Sequence, residues 1–415
     1  MTDQRPWLLV VGAGERPFRE YLLASIGERY RVHLLTGKEP DWERPHLAGW
    51  TVLSNPLETV DATEMIAAAR RLPDLAGVLA WDEARVLQAA KIAEALGLPG
   101  GDPEVAMRCR DKQRTRQALA AAGVPQPESA LVSSVEEALA AAEQIGYPVV
   151  LKPRAMAASL GVVRVDTPEQ LTAQFTFARD TTVPGAWQYD AVLVEECLTG
   201  PEVSVDAAVH AGEVLPMFTA RKEVGYPPYF EEIGHLVDAT DPLWDDPKLR
   251  QVLVETHRAL GLTDAMTHTE FKLTPAGPKV IEVNARLGGD LIPYLGMQVT
   301  GIDPGLVAAA VACGQRPELT VTRRRVAAVR FFYVSEEDTT IARVEFDPAA
   351  LAPGTETVVI ARPGAVVSPP PKGTAWGRIA AASVVADTPQ QCQAALAAAE
   401  AALRVQAADR SQVNN

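Results

Sequence analysis

The stretch AMTHTEFKLTPAGPKVIEVNARLGGD (265–290) holds the densest set of groups able to do chemistry. Glu270 lies on one arm of an expected hairpin, and Glu282 and Asn284 lie on the other, across the turn Pro275-Ala-Gly277-Pro278. Side chains two apart on a strand share a face, so 282 and 284 point the same way. Pairing of Glu270 opposite them would gather two carboxylates and an amide oxygen, hard ligands suited to Mg²⁺ and the phosphates it carries. Arg286 continues that face and would aim a fixed positive charge at the same point. Taken alone, E-x-N-x-R is equally a solvated strand face with scattered charges.

Cations and a loop precede it. Lys152 ends the apolar run VVLK before Pro153, although a strand-end lysine also serves as a snorkelling surface group. Lys112 sits on an earlier helix, where surface lysines are common. Between the next two strands, RAMAASLGV (154–162) is a loop of small residues with one hydroxyl, Ser159, and such a loop can lay backbone N–H groups over phosphates. In VLVEECLTGPEVSVD (192–206), Glu195 and Glu202 flank a Gly-Pro turn. Their carboxylates could accept from an adenine amine and ribose hydroxyls, or simply form a charged hairpin end.

These groups need elements to hold them. Short apolar runs at 7–12, 31–35, 51–53 and 77–80 alternate with helical-period segments such as 15–28 and 62–72, the pattern of a parallel α/β layer. Gly12-Ala-Gly14 follows the first strand, but position 17 is Pro, so a tight strand-to-helix turn is expected rather than a dinucleotide fingerprint. Helices are expected over 84–96 and 104–122, then strands at 147–152, 162–165, 191–195 and 202–208. A helix over 246–261, the hairpin 268–273/279–283 and a helix over 302–313 follow. Strands at 326–334, 357–361 and 378–385 and a helix over 388–405 end the chain. The expected division is 1–103, 104–315 and 316–415.

Composition bounds the function. With 53 Asp plus Glu against 39 Lys plus Arg, the 415-residue chain carries −14, which argues against a nucleic-acid footprint. It leaves room for a local basic pocket. The four cysteines lie 79 to 116 residues apart, too far for a tight metal or redox motif, and read as reduced thiols. WLLVV after Pro6 is too short for a signal segment, and no run of about 18 apolar residues could span a membrane. A cytoplasmic protein with no membrane partner is expected.

The ordered set of a strand ending in Lys, a small-residue loop, E-E-x-L-x-G-x-E and H-x-E…E-V-N-x-R lies within the 175 residues from 112 to 286. In that order it resembles the ATP-grasp superfamily. The resemblance implies an α/β and α+β fold: an N-terminal Rossmann-like pre-ATP-grasp domain, the ATP-grasp region and a C-terminal α+β lobe. It implies ATP with Mg²⁺, or Mn²⁺ in its place. Lys112 and Lys152 then match the phosphate-contacting lysines, with Lys152 also near the adenine and counted with Arg286 as catalytic. Ser159 and Gly161 match the closing loop, although AMAASLGV is less glycine-rich than that loop usually is. Glu195 matches the acid on the adenine amine, Glu196 and Leu198 the backbone adenine contacts, and Glu202 the ribose acid. Glu270, Glu282 and Asn284 match the metal ligands, and Arg286 the arginine that steadies the acyl-phosphate and tetrahedral intermediate.

Within the superfamily, EEIGHLVDAT (231–240) resembles the L-amino-acid ligases that make dipeptides, including the bacilysin-type alanine–anticapsin ligases. The resemblance implies that Glu232 binds a substrate amino group and His235 lines the pocket. His268 would stand behind the metal site, and Gly288 and Gly289 would offer N–H groups to the substrate carboxylate. Arg221, Tyr226 and Tyr229 are weaker candidates for a pocket wall. The implied activity is joining of two amino acids, or a γ-glutamyl-type amide, through an acyl-phosphate, releasing ADP and phosphate. The alternatives left open are a carboxylating or formylating enzyme of the biotin-carboxylase or purine type, and a ligase loading a carrier protein. The partners expected are small amino acids, with a homodimer by analogy.

Overall fold

The computed structural model describes residues 3–55, 57, 61–182 and 189–408. Its N-terminal sheet is parallel, in the order Gly49–Val52, Arg31–Thr36, Trp7–Val11, Leu75–Leu79. Every residue of WLLVV is buried, as required of a central parallel strand with helices on both faces. The turn after it is filled by protein. Gly12 has φ +75, and a Cβ there would stand 2.6 Å from the Arg85 guanidinium.

The helix expected over 104–122 is two helices, Pro103–Arg110 and Lys112–Ala121. Asp111 breaks it: its backbone is extended, and its carboxylate accepts from the N–H groups of Gln113 (3.0 Å) and Arg114 (3.4 Å). An N-cap in the middle of a helical pattern restarts the helix. The restart makes Lys112 the first residue of a helix, with its own N–H donated to Arg154 O at 3.1 Å.

Next comes a four-stranded antiparallel sheet in the order Ser129–Val132, Val192–Glu196, Val149–Pro153, Val163–Val165. Helices Val135–Ile145 and Pro168–Asp180 cover it, burying Ala138, Ala142, Leu171 and Phe175 against Val149, Leu151 and Val194. Both helices were absent from the expectation, yet each has a start signal. Ser134 accepts from Glu137 N–H, and Thr167 from Gln170 N–H.

The largest sheet has eight strands, each antiparallel to its neighbours. Its order is Gly277–Asn284, Ala265–Thr274, Glu202–His210, Glu213–Gly225, Glu231–Asp238, Val326–Tyr333, Arg378–Ala386, Thr355–Val359. It runs straight through the division expected at 315, because Glu231–Asp238 pairs with Val326–Tyr333. The two sides of that division share one hydrogen-bonded layer. Helices Ile292–Thr300 and Pro304–Ala312 pack between this sheet and the N-terminal one, so Leu22, Phe218, Leu295 and Val311 lie in one core. Among the described residues no single helix is long and apolar enough to cross a membrane.

Candidate nucleotide and amino-acid site

The hairpin forms in the register that the metal set requires. Glu270 stands opposite Glu282, and His268 opposite Asn284, so all four share one face. That face looks into an open cleft of about 1250 Å³, its mouth included. The four-stranded sheet contributes Lys152, Glu195 and Glu196 to the lining, and the eight-stranded sheet Glu202, Glu232, His268, Glu270, Glu282 and Asn284. Lys112, Ser159, Leu198, Arg286 and Gly289 complete the predicted residues there. Gly161, His235 and Gly288 lie outside the lining.

Each of those three has a place just behind it. Gly161 has φ +72, and a Cβ there would meet Pro153 Cγ at 2.6 Å, so glycine is required by the backbone. His235 is fully buried, with Nε2 2.9 Å from Asp290 Oδ2 and 3.4 Å from Glu232 Oε2. Gly288 donates its N–H to Asp206 Oδ1 at 2.7 Å, and a Cβ there would crowd His268 and Asp206. The loop before Gly161 takes left-handed backbone without glycine, at Ala158 (φ +54) and Ser159 (φ +55), a conformation that costs about 1 kcal/mol or more per residue.

The cations are pre-positioned. Lys112 Nζ donates to Met156 O at 2.6 Å and lies 3.2 Å from Glu282 Oε2, tying helix, loop and hairpin together. Arg286 Nε lies 3.0 Å from Glu83 Oε2 of the N-terminal domain, and its Nη1 donates to Leu287 O. Glu196 is held by Lys279 at 2.8 Å.

Glu195 is placed differently from an acid turned to an adenine amine. It is buried, with Arg116 Nε at 2.8 Å, Arg116 Nη2 at 3.1 Å and Lys152 Nζ at 2.7 Å. Burial alone would raise its pKa, but the two cations prevail and hold it at about 2. Glu195 thus fixes Lys152 at the strand end. A carboxylate lowered from about 4.5 to about 2 contributes stability above its unfolded pKa, which is lost as pH falls through the folded one. Acid titration is expected to remove about 3 kcal/mol between pH 4.5 and 2. In Glu195→Gln, unfolding curves against pH should lack that portion.

The resemblance did not reveal several groups. The Lys222 side chain is fully buried beneath three lining acids, 2.8 Å from Glu232, 2.8 Å from Glu270 and 3.8 Å from Glu202. It is the cation at the centre of that carboxylate cluster, and its pKa is raised well above the ordinary lysine value because their charges outweigh its burial. Asp206, fully buried, accepts from His268 Nδ1 at 2.9 Å as well as from Gly288. Burial would lower the His268 pKa, but Asp206 and Glu270 raise it to about 9. Arg378 arrives from the C-terminal strands. It forks onto Asp290 and donates to Tyr333 Oη (3.0 Å) and Glu232 O (2.9 Å).

The donor chemistry fits a hard divalent cation. Glu270 and Glu282 face one another across the hairpin, with Asn284 two residues along the same face. A cleft between two antiparallel sheets, with lysines on one wall and a carboxylate hairpin on the other, defines the ATP-grasp fold, whose members bind ATP and a divalent metal. Residues 145–294 match a family described as the ATP-grasp domain, and residues 106–159 match a second family of the same description; the chain carries an ATP-grasp domain. It is 33% identical over 318 residues to the uncharacterized protein y4rH of Sinorhizobium fredii, covering 74% of this chain and 64% of that one. It is 27% identical over 316 residues to the alanine–anticapsin ligase of Bacillus subtilis, covering 70% of this chain and 66% of that protein. The chain therefore spans slightly less than two thirds of these relatives. The crystal structure of an L-amino acid ligase from Bacillus licheniformis superposes with a TM-score of 0.79 at 22% identity, over 98% of this chain and 100% of that one, a likeness of fold.

Proposed function

We propose that the protein is an ATP-dependent carboxylate–amine ligase that joins two amino acids through an acyl-phosphate, with Mg²⁺ as its metal. The observation that carries the reading is a single cleft lined by two chemically distinct sets of groups, which meet where Glu232 and Glu270 share Lys222. One set is Lys112, Lys152 and the Glu270/Glu282/Asn284 face, and the other is Glu232, Asp290 and Arg378. The alanine–anticapsin ligase and the L-amino acid ligase among the similar proteins support it.

The chain's own groups divide the work. Lys112 and Lys152 face the nucleotide phosphates and offset their charge, while Glu202 receives the ribose hydroxyls. Glu270, Glu282 and Asn284 would hold a divalent cation, which would further neutralise the phosphoryl oxygens. The loop at 154–162, with Ser159 at the cleft, closes over the phosphates and keeps water from the acyl-phosphate. Glu232 receives a substrate ammonium, and Gly289 borders the substrate carboxylate. Arg286 stabilises the oxyanion that forms when the amine attacks.

The test is amino-acid-dependent phosphate release across all pairs of the twenty amino acids and a panel of unusual ones, with mass spectrometry of the product. Release coupled to a new amide is the expected result. ATP turnover that no pair of amino acids stimulates rejects the reading.

A further inference from the structure

An amino acid enters such a reaction as an ammonium ion, which has no lone pair to attack with. The phosphate and metal assignments above provide no group to take its proton. We propose that Glu231 is that group: it accepts a proton from the incoming ammonium beside Glu232, Asp290 and Arg378. The inference rests on the ligase reading.

The geometry begins with a bulge. Glu223 pairs with Gly234, but Val224 pairs with Glu232, which leaves Ile233 as an extra residue at the start of the strand Glu231–Asp238. Glu231 and Glu232, the two residues just before the bulge, both line the cleft, beside Phe230 and Ile292.

Their partners set them apart. Glu232 has the Lys222 ammonium at 2.8 Å, and Asp290 has the Arg378 fork. Glu231 has a neutral donor, the Tyr333 hydroxyl, at 2.7 Å from Oε1. Its cationic neighbour among the described residues is Arg378, at 3.8 Å, and that guanidinium is already committed to Asp290. The groups facing Glu231 are Tyr333 and Arg378 from their strands, Glu232 beside it, Asp290 from the loop before Ile292–Thr300, and Tyr226 from the turn after Glu213–Gly225. Burial first, then the charges of Glu232 and Asp290, outweigh Tyr333 and Arg378 and push the Glu231 carboxyl up to about 7. A carboxylate of that basicity is matched to a proton-accepting task near neutral pH.

The step balances. One N–H bond of the ammonium breaks and its proton passes to the Glu231 carboxylate. The freed lone pair forms the C–N bond at the acyl-phosphate carbon. The C–O bond to phosphate then breaks with its electron pair on phosphate, which also carries off the second proton lost from nitrogen. Glu231 returns its proton to water as the product leaves.

The experiment compares two acceptors in the full chain, using the activating amino acid found in the pair screen. The first acceptor is the partner amino acid. The second is hydroxylamine, largely uncharged near neutral pH, which traps the acyl-phosphate as a hydroxamate without needing a base. Wild-type kcat with the amino acid should rise with pH through about 7. In Glu231→Gln that rise should vanish and kcat fall about 100-fold, while hydroxamate formation stays within about threefold of wild type. Glu231→Asp should restore part of the amino-acid rate. An equal loss with both acceptors overturns the proposal and assigns Glu231 a structural part, as does no loss with either. Absence of hydroxamate from wild type with every amino acid instead rejects the ligase reading, and the proposal with it.

Discussion

Arg286→Ala is expected to lower kcat by about 100- to 1000-fold, the loss typical of removing one donor to a developing oxyanion, with little change in ATP affinity. The physical case is pre-organisation. Arg286 follows the Glu282–Asn284 face at two-residue spacing and is held on two sides, by Glu83 at 3.0 Å and by Leu287 O at 2.7 Å. A guanidinium held this way need not reorganise when charge appears. Arg286→Lys should recover little, because a lysine ammonium cannot keep the Glu83 contact and reach a substrate oxygen with a rigid fork. Glu83→Gln should give a smaller loss, since it loosens the arginine without removing it. The measurement is steady-state kinetics with separate nucleotide binding. A kcat near wild type for Arg286→Ala removes the arginine from the chemistry.

The second large effect concerns Lys222. Lys222→Met is expected to destabilise the protein by about 3–5 kcal/mol, the range for breaking a buried ion pair from one side. Methionine fills similar space, so the loss is electrostatic. Glu202, Glu232 and Glu270 would remain together with their central cation gone. Adding Glu232→Gln or Glu270→Gln should return part of the stability, because each removes one repelling charge, and such non-additivity is the signature of contact. Chemical denaturation of the single and double variants reads it. Additive losses would mean that the cluster does not act as a unit.

The legible parts of the site were those written in local pattern. The hairpin could be read because a Pro-Gly turn separates two alternating runs, and its register then carried Glu270 to Glu282. The strands of the N-terminal sheet could be read because central parallel strands are continuous apolar runs. Lys222, Asp206, Arg378 and Glu231 carry no such mark. Lys222 sits in TARKEVG, where its charge suggests solvent, and becomes a core residue only because the strands on either side place acids around it. Arg378 meets Asp290 across 88 residues of chain, and no spacing rule reaches that far. Glu231 stands two residues before a one-residue slip between strands not anticipated from the sequence. The break at Asp111 was missed because a capping aspartate and a surface aspartate look the same until the backbone is seen.

The eight-stranded sheet crosses residue 315 without interruption, and its strand Arg378–Ala386 delivers a cation to the cleft lining, beside Asp290 and Glu232. The C-terminal segment is therefore no detachable appendage: it supplies part of the cleft wall. A chimera that grafts the C-terminal strands of one relative onto the front of another would exchange, along with the graft, the cation that Asp290 pairs with.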